Sequence, residues 1–167
     1  FNNLINNPSF EQGVWEKPFD ASLTRAGIAD FKGEIINDGS SGQAIRLSSF
    51  NHSAAVRKGF DNFTPGDRYL LSFDYRHQKG LAPKFSVTQE GANIIEPSAD
   101  LPINQGWQKH SVVFRPRPLT TGAYLFLYAD PGIEKIETVN DYDNVKVIKL
   151  PTLLETLHLI SQPIDSL

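Results

Sequence analysis

Asp74 and Arg76 fall in the segment from Tyr69 to His77, where Tyr69, Leu71, Phe73 and Tyr75 alternate with Leu70, Ser72, Asp74 and Arg76. In an extended strand this alternation sends one set of side chains to the core and the other to water. A carboxylate and a guanidinium on one wet face can bind vicinal hydroxyls of a ligand, or they can satisfy each other as an exposed ion pair. The residue types alone leave both uses open.

Other chemistry is poorly specified. The chain has 19 acidic residues, so some pair of carboxylates at the roughly 5–10 Å spacing of a glycosidase is easy to imagine and carries no specificity. No Gly-x-Ser-x-Gly elbow, His-Glu-x-x-His helix or phosphate-binding glycine loop is present. The 4 histidines show no metal-ligand spacing, and with no cysteine there is no thiol catalysis, disulfide or cysteine-ligated zinc. A formal net charge of -3 offers no basic excess for nucleic acid. The sequence therefore reads as non-catalytic.

The elements that must carry these residues are strands. Short β-branched and aromatic segments recur between clusters of Gly, Pro, Asn and Asp. The expected strands are Ile35–Ile36, Gln43–Ser48, Ser53–Phe60, Tyr69–His77, Lys84–Gln89, Gln108–Phe114, Tyr124–Ala129 and Asn144–Leu150. About eight strands suffice for an all-β, two-sheet antiparallel jelly-roll β-sandwich. Thr64-Pro65-Gly66-Asp67 is a turn, because Pro presets φ and the following Gly accepts a positive one.

Residues 1–150 are read as the sandwich and 151–167 as an apolar helix or tail leading to a neighbouring segment. Leu153, Leu154, Leu157 and Ile160 have helix-compatible spacing after Pro151, predicting a short C-terminal helix that packs on the sandwich or on another domain. That stretch lacks Lys and Arg, which argues against a membrane-surface helix. No apolar run approaches the roughly 20 residues of a membrane span. The start at Phe1 and the absence of methionine suggest a processed product or an excised domain. Asn51-His52-Ser53 and Asn62-Phe63-Thr64 match the glycosylation acceptor pattern.

The opening Asn3-Leu4-Ile5-Asn6-Asn7-Pro8-Ser9-Phe10-Glu11-Gln12-Gly13-Val14-Trp15 resembles the first strand of calcium-containing, galactose-binding-like jelly-roll carbohydrate-binding modules. Thr64-Pro65-Gly66 before Tyr69-Leu70-Leu71-Ser72-Phe73, then Gly106-Trp107-Gln108, then Tyr142-Asp143-Asn144-Val145-Lys146-Val147 follow in the order that family requires. The resemblance implies a structural calcium between Glu11 and Asp143, with Ser9 as a carbonyl donor and Asp38 and Ser41 as further ligands. A hard cation needs six to eight oxygens in all, so carbonyls and water would complete the set. The alternative is that Glu11 and Asp143 cap turns or pair with a cation side chain.

The resemblance also implies a carbohydrate ligand. The expected contacts are Arg57, Asp74 and Arg76, joined by Glu90 and Tyr128. Trp15 either packs under a loop or stands at a rim as a stacking platform. Trp107 falls where the family places a packing tryptophan.

The expected function is that of a non-catalytic carbohydrate-binding module in a larger extracellular or cell-envelope protein. A structural or docking sandwich without sugar binding is the alternative. Less favoured is a glycosidase or a polysaccharide lyase using Arg76 with Tyr128.

Overall fold

The computed structural model describes residues 3–6, 8–11, 24–25, 28–29, 31–62 and 64–162. In chain order the elements are β1 (Thr24–Arg25), β2 (Ile28–Ala29), β3 (Phe31–Gly39), β4 (Gly42–Ser49), β5 (Ala54–Phe60), β6 (Tyr69–Lys79), β7 (Lys84–Glu90), β8 (Ile94–Asp100), β9 (Gln108–Phe114), β10 (Gly122–Ala129), β11 (Thr138–Lys149) and α1 (Leu153–Ser161).

Sheet A has the order β3-β4-β11-β6-β9, sheet B has β5-β10-β7-β8, and β1 with β2 forms a separate pair. Neighbouring strands are antiparallel throughout. The chain repeatedly changes sheets, as β5 feeds β6, β6 feeds β7, and β8, β9, β10 and β11 alternate between the two. This is a jelly-roll β-sandwich with one short C-terminal helix.

The core lies between the sheets, as period-two alternation requires. Phe73 and Tyr142 of sheet A meet Phe85 of sheet B, with the Phe73 ring 5.4 Å from Phe85 and 6.0 Å from Tyr142, both edge-on. Val56, Leu125, Leu127, Ile45, Leu47, Leu71 and Val147 fill the layer around them and are buried. Each such side chain contributes about 1.5–3 kcal/mol through burial.

Two differences from the sequence reading have physical causes. β8 escaped notice because Pro97 interrupts it, and as the edge strand of sheet B it tolerates a missing ladder donor. β11 begins at Thr138 rather than Asn144, through a polar stretch that reads as a loop. Asn140, Asp141 and Asp143 are nonetheless buried there, held between β4 and β6.

Beyond Tyr142 the partner of β11 changes. Its register with β6 breaks between Asp143 and Lys146, and Asn144 takes a φ of 54°. The N-terminal segment then replaces β4: Leu4 N–H donates to Val147 O at 2.8 Å and Val145 N–H to Pro8 O at 2.9 Å. The Asn3 side chain accepts from Val147 N–H and donates to Val145 O, both at 2.9 Å. First and last segments are thus tied together by protein hydrogen bonds.

The turn at Thr64 forms as expected, with Asp67 N–H donating to Thr64 O at 3.1 Å and Gly66 at φ 93°. It carries the chain from sheet B to sheet A. α1 starts with a capping box in which Glu155 N–H donates to Thr152 Oγ1 at 3.2 Å and Thr152 N–H to Glu155 Oε2 at 2.9 Å. None of its residues is buried.

Candidate functional site

On β10, Ala123, Leu125, Leu127 and Ala129 are buried in the core, so Tyr124, Phe126 and Tyr128 project from the outer face of sheet B. Phe126 and Tyr128 stack at 6.0 Å with planes 13° apart, and Tyr124 lies 6.4 Å from Phe126. All three are half-buried. Together they form a row of aromatic side chains along the strand.

The flanking strands frame this row. Arg57 is registered opposite Phe126, and its guanidinium lies 4.5 Å from the Tyr124 ring centroid. Lys84, opposite Tyr128 on the other side, holds its ammonium 5.5 Å from that ring. Ser86 and Tyr128 share a hydroxyl hydrogen bond of 2.9 Å. Gly59 faces Tyr124, and a Cβ there would come within 3.1 Å of the ring, so glycine lets the tyrosine lie close to the backbone. At the end of the row, Glu90 lines a cavity of about 440 Å³ with Asn6, Gly59, Asp61 and Tyr124.

Arg57, Glu90 and Tyr128, named from sequence, are therefore on one face. Asp74 and Arg76 are not, because they project from the outer face of sheet A, on the opposite side of the sandwich. Trp15 lies outside the described residues.

The sheet A face is an ion-pair network. Asp141 is fully buried and accepts from Arg46 Nε at 2.8 Å and Nη2 at 3.0 Å, from Arg76 Nε at 3.0 Å and from Gln78 Nε2 at 2.9 Å. Arg76 also donates to Asp38 Oδ2 at 3.0 Å and lies 4.6 Å from the Trp107 ring centroid. Arg76 thus pairs with Asp38 and Asp141 rather than with Asp74.

Asp74 instead accepts from Ser40 Oγ at 2.7 Å and pairs with Lys109 at 3.0 Å. Burial alone would raise its pKa, but hydrogen bonds from Ser40, Lys109 and Asn144 together hold it below its ordinary value.

Asp143 sits beside Asp74 across β6 and β11. Its Oδ2 accepts from Ser41 N–H at 2.9 Å and Ser40 Oγ at 3.0 Å, and its Oδ1 from Asn144 N–H at 2.7 Å. Burial raises its pKa, and the charge of Asp74 adds to this against the lowering effect of those hydrogen bonds.

The donors near Asp143 fit the chemistry of calcium. A Cβ at Gly39 would meet the carbonyl oxygens of Gly42 and Gln43 at 2.7 Å and Asp143 Oδ2 at 2.8 Å, so three hard oxygens converge beside a residue without a side chain. Glu11 closes the same turn, accepting from Gln43 N–H at 2.9 Å and lying 2.8 Å from where a Gly42 Cβ would be. Asp38 is turned to Arg76, and Ser41 supplies an N–H to Asp143. Ser9 is half-buried in the N-terminal turn. Among the described residues no three His, Cys, Asp or Glu side chains gather at one point, so backbone carbonyls would carry much of the coordination.

Sequence reasoning missed Tyr124, Phe126, Lys84 and Ser86 on the sheet B face. The signal for the aromatics was present: from Gly122 to Ala129 every aromatic alternates with an alanine or leucine. Only aliphatic positions were needed to fill the core, which leaves the aromatic positions for the other face.

No protein-family model matches the sequence, and no curated protein matches it. Solved structures do. The chain superposes on the enzymatically active domain of tailspike protein 4 of bacteriophage CBA120 with TM-score 0.64 and 12% identity, over 89% of this chain and 21% of that one. It matches a family 61 carbohydrate-binding module in complex with β-1,4-galactotriose with TM-score 0.52 and 14% identity, over 90% of this chain and 100% of that one. A xylan-binding domain, CBM22-1 from Paenibacillus barcinonensis Xyn10C, matches with TM-score 0.54 and 14% identity, over 86% and 92% of the two chains. These likenesses establish the jelly-roll fold, which is shared by binding modules and by parts of enzymes.

Proposed function

We propose that the protein is a non-catalytic carbohydrate-binding domain whose ligand lies along the outer face of sheet B. One observation carries this: Tyr124, Phe126 and Tyr128 form a row on that face, edged by Arg57, Lys84, Ser86 and Glu90. Aromatic faces stack on the C–H patches of sugar rings, and the flanking polar groups bond to hydroxyls. The fold is shared with modules solved with a galactotriose or described as xylan-binding, which supports the same reading.

The carboxylates on the opposite sheet have structural roles in this proposal. Asp141 is sealed beneath Arg46 and Arg76, and Asp74 and Asp143 share Ser40. A calcium ion held by Glu11, Asp143 and the carbonyls of Gly42 and Gln43 would supply charge compensation and pin the N-terminal segment to β11. Polysaccharide ligands suit a domain of a larger extracellular or cell-envelope protein.

A glycan array probed with the domain and with Phe126→Ala tests the reading. Glycan binding by the parent that is lost in the variant supports it. Binding of neutral glycans unchanged by Phe126→Ala and Tyr124→Ala, or no binding to any glycan with or without calcium, would overturn it. In the second case the docking reading gains, favoured by α1, on which Leu153, Leu154, Leu157 and Ile160 are all exposed.

A further inference from the structure

Where the edges of the two sheets meet, β8 of sheet B and β9 of sheet A flank an open cavity of about 670 Å³, away from the aromatic row. Its walls are apolar and rigid, formed by Pro97, Pro116, Pro118, Phe114 and the half-exposed Val113. Its polar groups are Arg68, Arg115, Arg117 and Glu96. Three arginines thus line the cavity with one glutamate, in a chain whose formal net charge is -3.

Each arginine has a defined state. Arg117 is neutralised by Glu96, with Nε–Oε2 at 2.8 Å and Nη2–Oε1 at 3.2 Å, a two-point ion pair between lining residues. Arg115 uses Nη1 to hold Gly66 O at 2.8 Å, which fixes the guanidinium, and it has no ion-pair partner among the described residues. Arg68 is exposed and its side chain has no hydrogen-bond or ion-pair partner among the described residues. Arg68 and Arg115 also line an adjoining cavity of about 250 Å³ toward the start of α1.

The wall is built from within. Gln89 is 1% exposed, and its amide donates to Glu96 O at 2.8 Å while accepting from Arg117 N–H and Thr120 Oγ1, each at 2.8 Å. A buried side chain satisfied in this way holds β8 and the segment after β9 at a fixed separation.

We propose that this cleft is a second binding site, taking a carboxylate-bearing sugar such as a uronic acid. Arg68 and Arg115 bind the carboxylate, and the ring lies against Val113 and the prolines. Guanidinium groups match carboxylate geometry, and the charge-assisted hydrogen bonds orient the sugar. The sugar part of this assignment rests on the glycan-binding reading, whereas the anion part stands on the arginines alone.

The test titrates ¹⁵N-labelled protein with oligogalacturonate, with neutral β-1,4-galactotriose, and with acetate as a simple carboxylate. Expected are shifts of the Gly66, Val113 and Arg115 amides with oligogalacturonate, weakened by salt. Affinity should fall at least about tenfold in Arg68→Gln and further in Arg68→Gln with Arg115→Gln. The Arg68 side chain makes no hydrogen bond or ion pair among the described residues, so Arg68→Gln is expected to leave the melting temperature unchanged while affinity falls.

No response of these amides to oligogalacturonate overturns the proposal, as does binding that survives the double variant. Equal affinity for acetate and oligogalacturonate overturns its sugar part and leaves a simple anion site. Galactotriose shifting Tyr124 and Tyr128 while the cleft stays silent toward oligogalacturonate would sink this proposal alone. Acid binding in the cleft with no glycan on the aromatic row would sink the sheet B reading alone.

Discussion

Phe126 and Tyr128 stack on the outer face of sheet B with planes 13° from parallel and centroids 6.0 Å apart. Their backs rest on the sheet rather than in the core, so removing one should cost binding more than folding. Phe126→Ala is expected to weaken glycan affinity by about tenfold or more, equivalent to about 1.4 kcal/mol. Isothermal titration and a thermal melt on the same samples check this. A melting temperature that falls sharply in step with affinity would mean that Phe126 is a packing residue.

Asp141 has no exposed side-chain surface and compensates two arginines. Asp141→Ala leaves Arg46 without its paired carboxylate and Arg76 with Asp38 alone, and is expected to lower stability by about 3–5 kcal/mol. Urea unfolding gives the number. The paired change of Arg46 to Met with Asp141 to Leu should recover much of it, because the cost comes from uncompensated charge.

Asp143 provides a calcium test with a defined sign. Its folded pKa is raised by burial and by Asp74, so without a cation its contribution to stability is full below the ordinary carboxylate pKa and is lost as pH rises through the folded value. Above that value the metal-free protein carries an unfavourable charge there. Calcium should raise the melting temperature with increasing concentration, and chelator should lower it. Asp143→Asn should abolish that dependence while leaving the metal-free protein as stable as before or more so. A melting curve indifferent to calcium and chelator counts against the ion.

His110 faces the core, with its ring 5.0 Å from Phe85 and 5.5 Å from Phe73, and its Nε2 is buried without a hydrogen-bond partner among the described residues. Burial lowers its pKa. Above about pH 6.5 both folded and unfolded states hold a neutral ring, and stability is full. As pH falls below that value the unfolded chain takes up the proton first, so stability declines until the folded pKa is passed. His110→Phe should flatten this limb. Denaturant midpoints from pH 7.5 to 5 would reveal an unchanged slope if the account is mistaken.

Much of the fold was legible because a strand's two faces are written in alternate residues. Tyr69 to Tyr75 and Val145 with Val147 identified core positions directly, and Thr64-Pro65-Gly66-Asp67 identified a turn. The edge strand β8 was hidden by Pro97, and the first half of β11 by its polar residues, since burial of Asn140 and Asp141 depends on partners distant in sequence.

The sequence by itself determined that this is an antiparallel sandwich, because hydrophobic period and turn chemistry are local properties. It also supplied the residue types of the site. The tertiary structure alone decided their grouping, because strands adjacent in sequence alternate between sheets. That alternation sends Arg57 and Tyr128 to one face and Asp74 and Arg76 to the other. Pairing within sheet A joins Arg76 to Asp38 and Asp141, and it brings Arg68 and Arg115 to one cleft at the shared end of β6 and β9. Register between paired strands sets those distances, and no spacing along one chain encodes it.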